Sequence, residues 1–163
     1  MLNIKFNKTS KFWVLVLCLL VSFFAGALGS VATIANIPTW YSSLAKPPLL
    51  PPNWVFGPVW TVLYALIGVA LYHVAVAKTK KSKDQAYWWF GAQLVLNIIW
   101  SFVFFGAHMA WPGFFVLLLL LGAIIATAFK FLPISKCAAY LLWPYAVWVC
   151  FAGYLNLGVA LLN

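Results

Sequence analysis

Apolar residues in this chain run on continuously instead of alternating or recurring on one face. Four stretches free of Asp, Glu, Lys and Arg cover residues 12–45, 47–77, 85–129 and 137–163. Each exceeds the roughly 20 residues needed to cross a bilayer core. The third is long enough for two crossings, and it is interrupted at Gly106 to Gly113, where Pro112 and the flanking glycines end one helix and start another. The pattern therefore predicts five transmembrane helices, at about 12–35, 54–77, 87–105, 113–131 and 138–161, forming one domain over residues 1–163. Helices are favoured over a barrel because barrel strands are short segments of alternating polarity. The fold class is an all-α membrane protein, a five-helix bundle.

Composition sharpens this picture. The chain has 163 residues, 66% apolar and only 7% charged, with a mean hydropathy of +1.03. Soluble domains carry about 25% charged residues, so an ordinary soluble enzyme is excluded. Ten lysines, no arginine and the single acid Asp84 give a net charge of +9. Nucleic-acid binders cluster such charge on a polar face, whereas these lysines sit between apolar runs, and no nucleic-acid partner is expected. Cys18, Cys137 and Cys150 lie in or at the ends of spans without close metal-ligand spacing, and read as small apolar residues. No metal site is expected and no cofactor is required.

The lysines also orient the bundle. With the N-terminus inside, Lys5, Lys8, Lys11, Lys78, Lys80, Lys81, Lys83, Lys130 and Lys136 fall on the cytoplasmic side and Lys46 alone falls outside. That bias predicts a cytoplasmic N-terminus, an outer C-terminus and an outer first loop. Lys5 to Lys11, an apolar stretch and Ala25-Gly26-Ala27 also fit a cleavable signal peptide. The apolar run, however, continues to Ile37, long enough to span, and either version leaves the first loop outside.

Ser22, Gly26 and Ser30, with Gly29 and Thr33 beside them, form a small-residue stripe on the first helix; Gly122 and Ala126 make a shorter one on the fourth. Such stripes bring helix backbones close in lipid, within one chain or between two. Of ten tryptophans, Trp13, Trp40, Trp54, Trp88, Trp89, Trp111 and Trp143 lie near helix ends or in loops, where interfacial placement explains them. Trp60, Trp100 and Trp148 lie deeper. Same-face spacing aligns Phe56, Trp60 and Tyr64 on the second helix, Gln93, Asn97, Trp100, Ser101 and Phe104 on the third, and Tyr145, Trp148, Ala152 and Asn156 on the fifth. Amides are costly against lipid, so Gln93, Asn97 and Asn156 are expected to face inward. Either these stripes line a pocket for a flat, largely apolar ligand with polar edges, or they fill a core.

The first loop, residues 36–53, continues into the second helix as NIPTWYSSLAKPPLLPPNWVFGPVW over 36–60. Its prolines stiffen it, and with Trp40 and Tyr41 it is a candidate lid. Trp40-Tyr41, Leu44, Lys46-Pro47 and Pro51-Pro52, followed by NWVFGPVWTVLY from Asn53, resemble the TspO/MBR family. That family takes in bacterial tryptophan-rich sensory proteins and the mitochondrial translocator protein, or peripheral-type benzodiazepine receptor. Asn97, Trp100, Ser101 and Phe104 and the run PYAVWVCFAGYLN from Pro144 to Asn156 extend the resemblance over nearly the whole chain.

The resemblance implies a five-helix bundle, usually a homodimer, whose pocket beneath the first loop binds tetrapyrroles such as protoporphyrin IX and, in some members, isoquinoline or benzodiazepine drugs. It carries Tyr41, Trp60, Tyr64, Asn97, Trp100, Trp148 and Ala152 onto pocket positions. Lys46 is the candidate partner for a propionate at the mouth. Some members are reported to degrade protoporphyrin in light; if this chain does so, Trp60 and Trp148 are the candidate catalytic rings. Transport of porphyrin or lipid-like molecules, or a role as a membrane assembly partner, is the alternative. Two features depart from the family: Leu49 stands where relatives commonly carry an aromatic, and the tail LNLGVALLN lacks the Tyr and basic residue of a sterol-recognition pattern. Cholesterol is therefore not an expected ligand. The spans contain no acid or lysine to support hydrolysis or proton coupling, and His73 and His108 read as interfacial or solvated. The expected setting is a bacterial cytoplasmic membrane.

Overall fold

The computed structural model describes residues 7–163; Lys5, counted above on the inner side, lies outside the described residues. Among those residues the fold is entirely helical, and five stretches are long and apolar enough to cross a membrane. Helix α1 covers Lys8–Asn36, α2 Phe56–Val76, α3 Asp84–Ser101, α4 Ala110–Phe131, α5 Lys136–Tyr140 and α6 Trp143–Leu162. The fifth predicted span is thus two helices, α5 and α6, broken at Leu141–Leu142 just before Pro144. Proline fits the first turn of a new helix, where no N–H is required.

In space α1 lies between α2 and α3, α4 packs on α3 and α6, and α6 meets α2 only lightly. The small-residue stripe of α1 is an intramolecular seam. Ser22 is fully buried and donates to Tyr64 O of α2 at 2.8 Å, and a Cβ on Gly68 would lie 2.9 Å from Leu19 Cα. Gly29 and Ser101 make the equivalent approach to α3. Glycine is needed at these points because lipid offers no apolar driving force, so close backbone packing must hold the helices together.

The first loop differs from its predicted extent. The loop is expected from residue 36, yet α1 continues through a π-helical turn, Ile37–Tyr41, and stays helical to Ser43. The wider turn relieves the clash of a proline ring with the carbonyl four residues back. A second π-helical turn, Phe102–Gly106, extends α3. The two turns face each other, with the Tyr41 ring 5.6 Å from Phe105 and 6.2 Å from Phe104.

The rest of the loop is pinned to the end of α6. Asn163 accepts from Ala45 N and donates to Ala45 O, both at 3.0 Å, and Tyr154 OH donates to Pro48 O at 2.9 Å. Pro47 sits on Gly158, where a Cβ would lie 2.5 Å from the proline ring. Leu49 takes a left-handed φ of 66° and is 81% exposed, so it points away from the bundle. At the opposite end Lys83 donates to Ala75 O and Ala77 O at 3.0 Å, satisfying carbonyls at the close of α2. Burial there pushes its pKa below the ordinary lysine value.

Candidate functional site

Because α2 and α6 splay apart, a cavity of 560 Å³ opens between α1, α2, α3 and α6 beneath the first loop. Tyr41, Trp60, Tyr64, Asn97, Trp100, Trp148 and Ala152 all line it. Lys46 does not. Its ammonium donates to Ser42 O at 3.1 Å and Leu44 O at 3.2 Å and lies 5.2 Å from the centre of the Tyr41 ring. It caps the last turn of the α1 extension beside the mouth.

The α2 ladder forms one wall. Trp60 stacks on Tyr64 at 5.5 Å, approaches Trp100 of α3 at 6.4 Å and meets Tyr145 of α6 edge-on at 6.1 Å. Phe56 packs edge-on against Trp148 at 5.8 Å. These offset and edge contacts let aromatic quadrupoles attract, which favours the observed ring planes.

The polar groups behave as the lipid argument requires: Gln93, Asn97 and Asn156 are 0%, 1% and 2% exposed. Asn97 joins three helices, accepting from Tyr64 OH at 2.5 Å and donating to Tyr145 OH at 3.2 Å. Asn156 accepts from Trp100 Nε1 at 3.1 Å and donates to Ala110 O at 2.7 Å, which holds the Trp100 ring. Replacing Asn156 by leucine is expected to lower stability by roughly 1–3 kcal/mol, since the buried Trp100 N–H loses its acceptor and the half-buried Ala110 carbonyl loses a donor. Unfolding in detergent measures it, and an unchanged midpoint would contradict the assignment.

Against this paired background one donor stands out. The Trp148 Nε1–H has no acceptor among the described residues; the Trp148 ring lines the cavity, while its N–H is buried away from it. Gln93 is also unpaired at both amide atoms, but it lies one turn beyond Asn97, outside the lining. No lining residue carries a charge or a titratable carboxyl. The site offers ring faces, hydroxyls and an amide, which suits recognition of a flat apolar molecule with polar edges and offers nothing for acid–base hydrolysis.

Three features of the site escaped the sequence. The fourth wall is α1, through Phe23, Gly26, Ser30 and Thr33; its small-residue stripe signalled only packing. Phe105 lines the cavity because the π-helical turn re-aims the end of α3. Trp40 and His108, read as an interfacial ring and a solvated imidazole, also stack on each other at 4.5 Å and 11°, with His108 exposed. His108 Nε2 lies 2.9 Å from Asn36 Oδ1, while Asn36 Nδ2 donates to Ala32 O, so the imidazole N–H is the donor. This contact ties the α3–α4 turn to the α1 extension, and His108 reaches it from a left-handed φ of 60°.

Comparison with known proteins identifies the family. The TspO/MBR family model matches residues 15–162. The chain is 40% identical to the tryptophan-rich protein TspO of Archaeoglobus fulgidus over 91% of this chain and 96% of that one. It is 38% identical to the translocator protein of Bos taurus, covering 80% and 79% of the two chains. A tryptophan-rich sensory protein of Cereibacter sphaeroides is 32% identical, over 93% and 92%. An integral membrane protein of five spanning helices with an aromatic cavity under its first loop, this chain belongs to the TspO/MBR family.

Proposed function

We propose that the protein is a membrane receptor for tetrapyrroles such as protoporphyrin IX, which enter the cavity beneath the first loop. Isoquinoline- and benzodiazepine-type molecules have the same flat, weakly polar character and are expected to compete. The observation that carries this reading is the uncharged cavity of 560 Å³ walled by the rings of Trp60, Tyr64, Trp100 and Trp148, with the hydroxyls of Tyr41 and Tyr64 and the amide of Asn97 among its lining residues. That volume lies within the roughly 300–1,000 Å³ of small-molecule sites. The macrocycle stacks on the rings of Trp60 and Trp148, and Tyr41 closes the mouth. In this reading the N-terminus is cytoplasmic, the lid faces outward across a bacterial cytoplasmic membrane, and the protein works as a homodimer.

Protoporphyrin is expected to quench tryptophan fluorescence saturably, and the Trp60→Phe/Trp148→Phe variant to lose most of that binding. Phenylalanine replaces each broad indole face with a smaller ring, so an unchanged affinity in the double variant would sink the proposal. The same two indoles, both lining the cavity, support a second reading in which bound porphyrin is degraded under illumination. Pigment bound to the wild type would then bleach faster than pigment in detergent alone; equal rates leave a receptor without that activity.

A further inference from the structure

The last part of the first loop, residues 46–52, runs down the side of α6. Helices α2 and α6 are antiparallel, with Phe56 against Trp148 and Trp60 against Tyr145, so the helical turn that opens α2 at Asn53 lies about level with Phe151. The loop starts much nearer the end of α6, where Ala45 is bonded to Asn163. From Asn163 back to Phe151 is roughly 18 Å of helix at about 1.5 Å per residue. The chain covers that descent in two steps, with Pro47 on Gly158 and Pro48 O on the Tyr154 hydroxyl.

This side of α6 is turned to lipid. Tyr154 is seven residues from both Val147 and Leu161, a spacing that returns to the same helix face, and those two apolar residues are 66% and 67% exposed. Helix α6, Trp143–Leu162, is about as long as the roughly 30 Å hydrocarbon core is thick, so Gly158 and Tyr154 fall within the membrane span. Leu49, next to Pro48, is exposed as well and holds a left-handed φ, a conformation unfavourable for a residue with a Cβ.

The composition of the segment suits that place. Non-helical backbone is costly in a bilayer because each N–H needs a partner. Between Pro47 and Pro52 only Leu49 and Leu50 carry an N–H, since proline has none. Tyr154 OH satisfies one of the carbonyls at 2.9 Å, and no charged residue follows Lys46 until Lys78.

We propose that residues 47–52 form a strap seated in the bilayer, with Leu49 inserted among lipid acyl chains just beneath the headgroups, so that lipid holds the first loop from outside while Asn163 and Tyr154 hold it from within. The partner of this surface is the apolar layer of the membrane. Water fits less well, because a leucine held in an unfavourable φ and left largely exposed gains nothing from it. The proposal does not depend on what the cavity binds.

The test places an environment-sensitive fluorophore on Leu49→Cys in the full chain, with the exposed Cys137 and Cys150 replaced by alanine and the buried Cys18 kept. The protein sits in phosphatidylcholine nanodiscs with or without a lipid bearing a nitroxide near the top of one acyl chain, and iodide serves as the quencher in water. Ser42→Cys, exposed at the end of the α1 extension, is the aqueous control. The label at position 49 is expected to lose most of its emission to the nitroxide lipid and little to iodide, and the label at position 42 to show the reverse. The far-UV spectrum establishes that each variant is folded; should Leu49→Cys fail to fold, Pro52→Cys carries the label with the same expectation. Iodide quenching at position 49 as strong as at position 42 overturns the proposal and puts the strap in water. Protection from both quenchers overturns it as well, and assigns the surface to a second copy of the chain.

Discussion

Replacing Gly26 by alanine is expected to reduce protoporphyrin affinity about tenfold or more and to destabilise the protein by roughly 1–3 kcal/mol, the usual range for overpacking. The Cβ would enter the van der Waals space of the Tyr64 ring, with Tyr64 Cδ2 only 2.7 Å away. That ring cannot simply swing aside. It stacks on Trp60, its hydroxyl is held by Asn97, and its own carbonyl accepts from Ser22. Displacing it breaks the Asn97 link between α2, α3 and α6 and tilts the stacking face a macrocycle would use. Gly91→Ala is the control, because a Cβ there meets nothing within 4 Å. Fluorescence quenching titrations and detergent unfolding read the two effects, and a Gly26→Ala variant indistinguishable from Gly91→Ala would contradict the geometry.

The second large effect is expected at Gly158, far from the cavity floor. Alanine there would place a methyl 2.5 Å from the Pro47 ring, lifting the loop and straining the Tyr154–Pro48 and Asn163–Ala45 bonds nearby. The cavity walls are untouched, so ligand entry should change little while release accelerates about tenfold, since differences between related complexes sit mainly in the dissociation rate. Pro47→Gly removes the clashing ring and should restore much of the slow release in the double variant. Rescue of that kind separates a lid effect from general damage to α6. If Gly158→Ala releases ligand at the wild-type rate, the loop is not what retains it.

Much of this was legible in the sequence because lipid leaves few choices. Charge-free runs of sufficient length must be helices, and their amides must face inward, as Gln93, Asn97 and Asn156 do. Period-four spacing placed Phe56, Trp60 and Tyr64 on one wall, and helical ladders preserve such spacing faithfully. What was missed arises where helices depart from ideal geometry. Pro38 stops a regular α-helix but not a π-helical turn, and that turn carries Tyr41 over the cavity. The same device at Phe102–Gly106 swings Phe105 inward. The Trp40–His108 stack joins residues far apart in the chain and has no local pattern to announce it. Lys46 shows the converse case: charge suggested a propionate partner, while the nearest unsatisfied groups were carbonyls of its own loop.

The central claim is that the cavity beneath the first loop holds a tetrapyrrole, and one spectrum tests it most directly. Wild-type protein and the Gly26→Ala variant are purified in parallel from cells producing excess porphyrin, and their absorbance is recorded at equal protein concentration. The wild type is expected to carry a Soret band that survives gel filtration, and Gly26→Ala to have lost most of it. A wild type without the band, or a variant carrying as much pigment as the wild type, would contradict the account.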